Sequence, residues 1–421
     1  MLPKGWRRAT LGEIGQIKSG STPPRASHER YFVGGTWPWV KTMDLTNSEI
    51  KLTHEQITDA ALKETSCKLF QPGTVLVAMY GGLKQIGRSG LLTQTSAVNQ
   101  AISAIELDGQ KAMPHFVLHW LNGHVATWKS FAASSRKDPN ITRENVCNFP
   151  ISLPPLWEQV RIAELLSTWD QAITATEHLL SNSCKKKQAL ILQLLTGQKR
   201  LTRFRSATEK RHTPHGSIPA DWEYPRIEVF AKEVATKRGS GSAYPVLSCT
   251  KHAGLVDSLT YFNKQVFSAD TSTYKVAPRK CFVYATNHIE EGSIGYQDLY
   301  DFGLVSPMYT VFLTRDTVLD AYLYRLLKTE KYRQIFAAAT NSSVDRRGSL
   351  RWKEFKKLHV PLPSLEEQQA ISGLIDTMDR EIEFLDRQLA SLRAEKIALM
   401  QQLLTGKRRV RLPESASETA A

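Results

Sequence analysis

The chain has 421 residues, 41% hydrophobic and 23% charged, a balance that excludes wholesale disorder and leaves room for two domains with real cores. Lysine and arginine number 55 against 41 acidic residues, a net charge of +14, which points to a polyanionic partner, with nucleic acid ahead of a membrane surface. Five scattered cysteines (Cys67, Cys147, Cys184, Cys249, Cys281) with no Cys-x-x-Cys pair read as reduced thiols and exclude a disulfide framework or a zinc site.

The opening Met1-Leu2-Pro3-Lys4-Gly5-Trp6 carries no apolar signal region. Val75–Met79, the best apolar run, is too short to span a bilayer and reads as a buried strand. The expectation is a soluble, cytoplasmic protein that meets no membrane. Further strands fall at Ala101–Leu107, Cys281–Ala285 and Met308–Leu313, rich in β-branched and aromatic residues between turn-forming Gly, Pro, Asn and Asp. Helical spacing follows each strand-rich stretch, over His115–Trp128 and Ala321–Ala338. Gln198 to Asp221 reads as a solvated basic tether, and the small polar residues after Leu412 as a frayed tail.

The second half of the chain repeats the first. Leu153-Pro154-Pro155-Leu156-Trp157-Glu158-Gln159 through Gln193-Leu194-Leu195-Thr196-Gly197 aligns without a gap on Leu362-Pro363-Ser364-Leu365-Glu366-Glu367-Gln368 through Gln402-Leu403-Leu404-Thr405-Gly406. About 20 of roughly 50 positions are identical, so whole domains are duplicated. Fainter echoes align Pro3-Lys4-Gly5-Trp6 with Pro219-Ala220-Asp221-Trp222, Pro72–Val77 with Pro278–Val283, Ile86-Gly87 with Ile294-Gly295, and Val98 with Val305.

Each repeat carries an apolar seam at alternating four- and three-residue steps. In the first copy it reads Ile162, Leu166, Trp169, Ile173, Thr176, Leu180, Ser183, Lys187, Leu190, Leu194. In the second it reads Ile371, Ile375, Met378, Ile382, Leu385, Leu389, Leu392, Lys396, Leu399, Leu403. About 40 residues of helix extend roughly 60 Å, and two such seams hide most economically against each other, antiparallel. The stems of Lys187 and Lys396 are expected to pack while their charges snorkel out; the alternative is that these polar seam residues set register. Gly197 and Gly406 suit left-handed helix ends. The fold class is α+β: two similar mixed α/β domains joined by two long helices pairing as an antiparallel coiled coil. The boundaries read 1–153, first domain; 154–198, first helix; 199–362, linker and second domain; 363–408, second helix; 409–421, tail.

Catalytic motifs are near-misses. Gly82-Leu83-Lys84-Gln85-Ile86-Gly87-Arg88-Ser89 resembles a phosphate loop, but Arg88 stands where lysine is required and no helix signal follows. Its counterpart, Glu290-Glu291-Gly292-Ser293-Ile294-Gly295, is acidic. The eleven histidines have no metal spacing, and there is no Gly-x-Ser-x-Gly elbow.

Two variable α/β domains, each followed by Leu-Pro-x-Leu-x-Glu-Gln and a long helix ending Leu-Leu-Thr-Gly, resemble the specificity subunit of a type I restriction-modification system. The resemblance implies a non-catalytic chain with two target recognition domains, each reading one half of a bipartite asymmetric site on double-stranded DNA. It implies helices that act as a ruler for the spacer and dock two methyltransferase subunits. S-adenosylmethionine, ATP and Mg would sit on partner methyltransferase and restriction/translocase subunits, with no cofactor or metal on this chain. On that ruler reading, four residues inserted before Leu194 and before Leu403 lengthen the spacer recognised. The alternatives are a duplicated DNA- or RNA-binding scaffold of another methyltransferase or phage-defence complex, an enzyme with an unseen site, and a homodimerising structural coiled coil.

Candidate base and phosphate contacts follow from loop position and side-chain chemistry. In the first domain they are Lys84, Gln85, Arg88, Arg136, Lys137 and Asn140. In the second they are Lys251, His252, Asn287, His288, Arg346 and Arg347. The competing reading of each is a solvated surface residue.

Overall fold

The computed structural model describes residues 2–132, 140–205, 209–240, 243–341 and 348–410. The chain divides into two compact units, Met1–His178 with Asp386–Ala421, and Leu179–Leu385. The division cuts both long helices, so each unit owns one domain, the start of one helix and the end of the other.

In the first unit the central sheet contains β1 (Gly15–Ser19), β2 (Ser48–Ile50), β3 (Val75–Ala78), β4 (Ser89–Leu92) and β5 (Ile102–Leu107), in the order β1-β5-β3-β4-β2. All pairs are antiparallel except β2 with β4. The run Val75-Leu76-Val77-Ala78 is buried on both faces, which is why it is apolar throughout instead of alternating. A second sheet joins Glu55–Ile57, Trp37–Val40, Ser96–Val98 and Leu69–Phe70. Two helices cover the central sheet, α1 (Pro114–Gly123) and α2 (Val125–Ala132), and then the long α3 (Leu156–Leu195) begins.

The second unit repeats this frame. Its sheet has β6 (Ala231–Glu233), β7 (Phe282–Ala285), β8 (Ile294–Tyr296) and β9 (Tyr309–Thr314), in the order β6-β9-β7-β8, antiparallel throughout. That is the order of the first sheet without its parallel edge strand. α4 (Asp320–Leu327) and α5 (Glu330–Asn341) follow, then the long α6 (Leu365–Leu403). Each helical stretch expected from spacing is therefore two helices. In the first domain the break falls at His124, whose ring stacks on Trp120 at 4.1 Å and whose amide caps Leu121.

Strand pairing corrects two of the faint sequence echoes. Val75 and Phe282 occupy the same place, opposite Ile105 and Phe312, so the match of Pro72–Val77 to Pro278–Val283 slips by one residue. The slip puts Lys280 (φ 67°) where Gly73 (φ 89°) makes the left-handed turn into the strand, a conformation glycine takes freely and lysine only under constraint. Gly90 faces Leu76 as Gly295 faces Val283, so Ser89-Gly90, and not Ile86-Gly87, lies opposite Ile294-Gly295 in the repeat.

The helix seams follow the predicted residues: none of the twenty positions is exposed. Within the first unit Ile162 and Leu166 share a core with Met400, Leu403 and Leu404. Within the second, Leu194 and Leu195 share one with Ile371 and Ile375. The start of each long helix thus packs on the end of the other, antiparallel. The seam lysines do not snorkel. Lys396 pairs with Asp170 and Lys187 with Asp379, the same two positions of the repeat in each case. An ion pair at a part-buried seam penalises every register that separates it, which favours the register seen. Arg393 to Glu177 (2.6 Å) and Ser183 to Glu381 (3.0 Å) add rungs within their units.

The motifs that flagged the duplication meet at one point in each unit. Glu158, fully buried, accepts from Trp6 Nε1 (3.1 Å) and from Arg409 Nε and Nη2 (3.1 and 2.6 Å). Glu367 accepts from Trp222 Nε1 (3.2 Å) and from Arg200 Nε and Nη2 (3.0 and 2.6 Å). Both arginines stand three residues after the helix-ending glycine, and the carboxylate raises the pKa of each guanidinium. The neighbouring glutamines brace a different helix. Gln159 Oε1 accepts from the Met113 amide (2.9 Å) and Gln368 Oε1 from the Leu319 amide (2.8 Å), the residues that open α1 and α4. Gly197 (φ 68°) lies against Pro219 and Gly406 (φ 69°) against Pro3, where a Cβ would come within 2.3 Å. Leu-Pro-x-Leu-x-Glu-Gln, Pro-x-x-Trp and Thr-Gly are thus parts of one clasp, made twice. Arg409 belongs to it although the sequence places it at the start of the tail. The segment 198–221 is no simple tether either: Lys210–Thr213 and Gly216–Pro219 form a hairpin, and Ile218 is buried in the core.

Candidate nucleic-acid interface

The glycine-rich segment of the first unit is the loop between β3 and β4, so a strand follows it and no phosphate-loop helix exists there. Ile86 is buried at its base, and a Cβ on Gly87 (φ 76°) would strike Trp128 at 2.7 Å, so the loop closes tightly on the core. Its tip presents Tyr80, Leu83 and Lys84 to solvent. Gln85 and Arg88 are half-buried, and Gln85 Nε2 reaches Met43 Sδ at 2.9 Å. Asn140 enters beside this loop, because the amide of Ile141 donates to Met79 O (2.9 Å). Arg136 and Lys137 lie outside the described residues, as do Arg346 and Arg347.

The second unit builds the same junction, with the Leu350 amide on Thr286 O at 2.8 Å, next to Asn287. Lys251 and His252 are exposed in the turn between strands Leu247–Thr250 and Gly254–Asp257. Lys328 Nζ donates to Lys251 O and to Gly292 O, both at 2.8 Å, and so ties that turn to the loop carrying Asn287 and His288. Burial holds the pKa of this lysine below its usual value. His288 Nδ1 lies 3.2 Å from Glu291 Oε1, and with the half-buried Glu290 the two form an acidic cluster. Burial pushes the Cys249 and Cys281 thiols up to about 12, far from the thiolate range.

Each frame therefore gathers loops of different chemistry at one end of a shared sheet, basic in the first unit and mixed in the second. Residues 3–186 and 224–394 match the family model "Type I restriction modification DNA specificity domain". The chain belongs to this family. The family is the sequence-recognition component of type I restriction-modification systems and not a catalytic one, and the chain is accordingly a DNA-recognition subunit. The MjaVIII specificity subunit of Methanocaldococcus jannaschii is 23% identical over 97% of this chain and 94% of its own length. The putative MjaX specificity subunit of the same organism is 21% identical over 97% and 95%. Among solved structures, the S subunit from M. genitalium (15% identity, TM-score 0.55, covering 98% of this chain and 100% of that one) shares the fold. So does the HsdS subunit from Thermoanaerobacter tengcongensis (18%, TM-score 0.51, covering 97% and 98%). No helix among the described residues is long and apolar enough to cross a membrane.

For Lys84, exposed at the loop tip and without a bond among the described residues, the expectation is a phosphate contact. Lys84→Ala should weaken binding uniformly across sequences and lower the slope of log affinity against log salt by about 1. Fluorescence anisotropy over a salt series reads this out. A change of sequence preference without a change of slope would make Lys84 a base reader instead.

Proposed function

We propose that each domain reads one half of a bipartite, asymmetric DNA site, and that the chain directs two methyltransferase subunits, and restriction/translocase subunits with them, to that site. The observation that carries this reading is the contrast within the duplication. Strand order, helix pairs and clasp recur, while the loops at the sheet ends share almost no chemistry (Lys84, Gln85 and Arg88 against Asn287, His288 and Glu291). A repeated scaffold with divergent loops suits two different half-sites held in register. Adenine methylation, with S-adenosylmethionine, would be the partners' chemistry, as would ATP- and Mg-dependent restriction, all in the cytoplasm. The exposed apolar residues of the long helices, among them Leu165, Leu179, Leu192, Phe384 and Ile397, are the surface such partners would cover.

Single-molecule methylome sequencing of the host with and without the gene tests the proposal. Loss of N6-methyladenine at one split motif with a fixed spacer is expected, and an unchanged methylome counts against the methyltransferase partnership.

The ruler reading gives a second expectation. Leu194 and Leu403 are core residues, so an insertion beside them would damage the domains. Four residues inserted in each helix after His178 and after Leu385, where the units divide, leave both clasps and both seam ion pairs intact. The recognised spacer should lengthen, since the insertion adds about one helical turn; an unchanged spacer would refute the ruler.

A further inference from the structure

The frames differ most sharply at one scaffold position. On β1, Ile17 faces Ile105 and is 4% exposed in the core of the first unit; on β6 the same place, opposite Phe312, is held by Glu233. The carboxylate of Glu233 accepts no hydrogen bond and forms no ion pair among the described residues. It opens into a cleft of about 670 Å³ with Lys275, Asn287, Met308, Arg351, Trp352 and Lys353 in its walls. Lys275 spends its ammonium on Tyr309 O at 2.6 Å, so it lends Glu233 its field and not a bond. Beneath them the hydroxyl of Tyr284, on a fully buried side chain, has no hydrogen-bond partner among the described residues. The amide of Asn287 makes no hydrogen bond among the described residues either. In the first unit the equivalent corner is closed by Ile17, Val77 and Met79.

The scaffold therefore does not require a carboxylate here, and a half-buried unpaired one is costly until a donor arrives. An acceptor-only group beside a free amide, in a cleft adjoining the Asn287 loop, matches the edge of a base that offers an amino group. We propose that this cleft reads one base of the half-site taken by the second unit, with Glu233 accepting from the exocyclic amino group of an adenine or a cytosine and Asn287 bonding the same edge. The proposal rests on the half-site reading above.

The test uses the full chain and a panel of duplexes carrying its methylated motif. Each adenine in turn is replaced by purine and each cytosine by 2-pyrimidinone, which lack the amino group. The unsubstituted protein should lose about tenfold or more in affinity at one position of one half-site. Glu233→Ile, which installs the residue of the first unit, should abolish that penalty, leave the other half-site untouched and unfold no more readily. The proposal is overturned if no position in that half-site is sensitive, or if Glu233→Ile keeps the full penalty. A variant that is less stable with unchanged base preference would likewise overturn it, by making Glu233 structural. A chain that shows no split-site preference at all would fail the half-site reading itself, and this assignment with it.

Discussion

Glu367→Ala is expected to destabilise the second unit by about 3–5 kcal/mol, the usual loss when one member of a buried, hydrogen-bonded ion pair is removed. The carboxylate is 1% exposed and the Arg200 side chain 9%, so the guanidinium cannot turn to water when its partner goes. Trp222 Nε1, on a buried ring, is orphaned by the same change. Asp221 still holds Arg200 Nη1 at 2.8 Å, which keeps the loss within that range. Glu158→Ala in the first unit removes the same bonds but should cost less, about 1–3 kcal/mol. There the Arg409 side chain is 39% exposed and can rehydrate. Urea unfolding followed by amide exchange, which reports the units separately, makes the comparison. Equal losses, or a larger one for Glu158→Ala, would show that partner burial does not set the strength of the clasp. Glu367→Met with Arg200→Met should recover part of the deficit, because two apolar side chains leave no buried charge behind.

That clasp also marks where the sequence was legible. An apolar side-chain period of 3.5 residues matches one face of a helix, and packing seldom overrules it, so all twenty seam positions were readable, as was the duplication. What the seam lysines meet was not readable. Asp379 stands 192 residues from Lys187 and Asp170 226 residues from Lys396, and they become neighbours only once the two helices run antiparallel. Glu158 and Arg409 stand 251 residues apart, and no local pattern joins them; the one available signal was that Arg200 recurs at Arg409, three residues beyond each glycine. The strand matches slipped for a different reason. Glycine at Gly73 and lysine at Lys280 share a left-handed backbone that residue identity conceals. At the candidate interface, charge and loop position singled out Lys84 and Lys251. Glu233 escaped because a carboxylate in a basic protein reads as a surface residue until the strand register sets it against a core isoleucine.

His119 should make the first unit sensitive to acid. It sits on α1, 2% exposed, with Nε2 3.4 Å from Ser167 Oγ and Nδ1 buried without a hydrogen-bond partner among the described residues. Burial, reinforced by the charges of Lys396 and His115, holds its pKa down to about 3. The unfolded chain binds a proton at this residue near the ordinary 6.5, whereas the folded chain refuses it until about 3. Its contribution to stability is therefore complete above pH 6.5 and is lost progressively as pH falls toward 3. At pH 5 the loss is about 2 kcal/mol, since each pH unit below 6.5 approaches 1.4 kcal/mol. Between pH 7 and pH 5 the native chain should lose about 2 kcal/mol more unfolding free energy than His119→Gln; equal losses would show that the imidazole is protonated or solvated in the folded state. The second unit should lack this sensitivity at the matching place. The sixth residue of α4 is Arg325, a permanent cation paired with Asp376. A proton forced onto His119 would act beyond stability. Its Nδ1 is 3.8 Å from the Asp170 carboxylate that holds Lys396, so the imidazolium would compete for the ion pair that favours the register of the two helices in that unit.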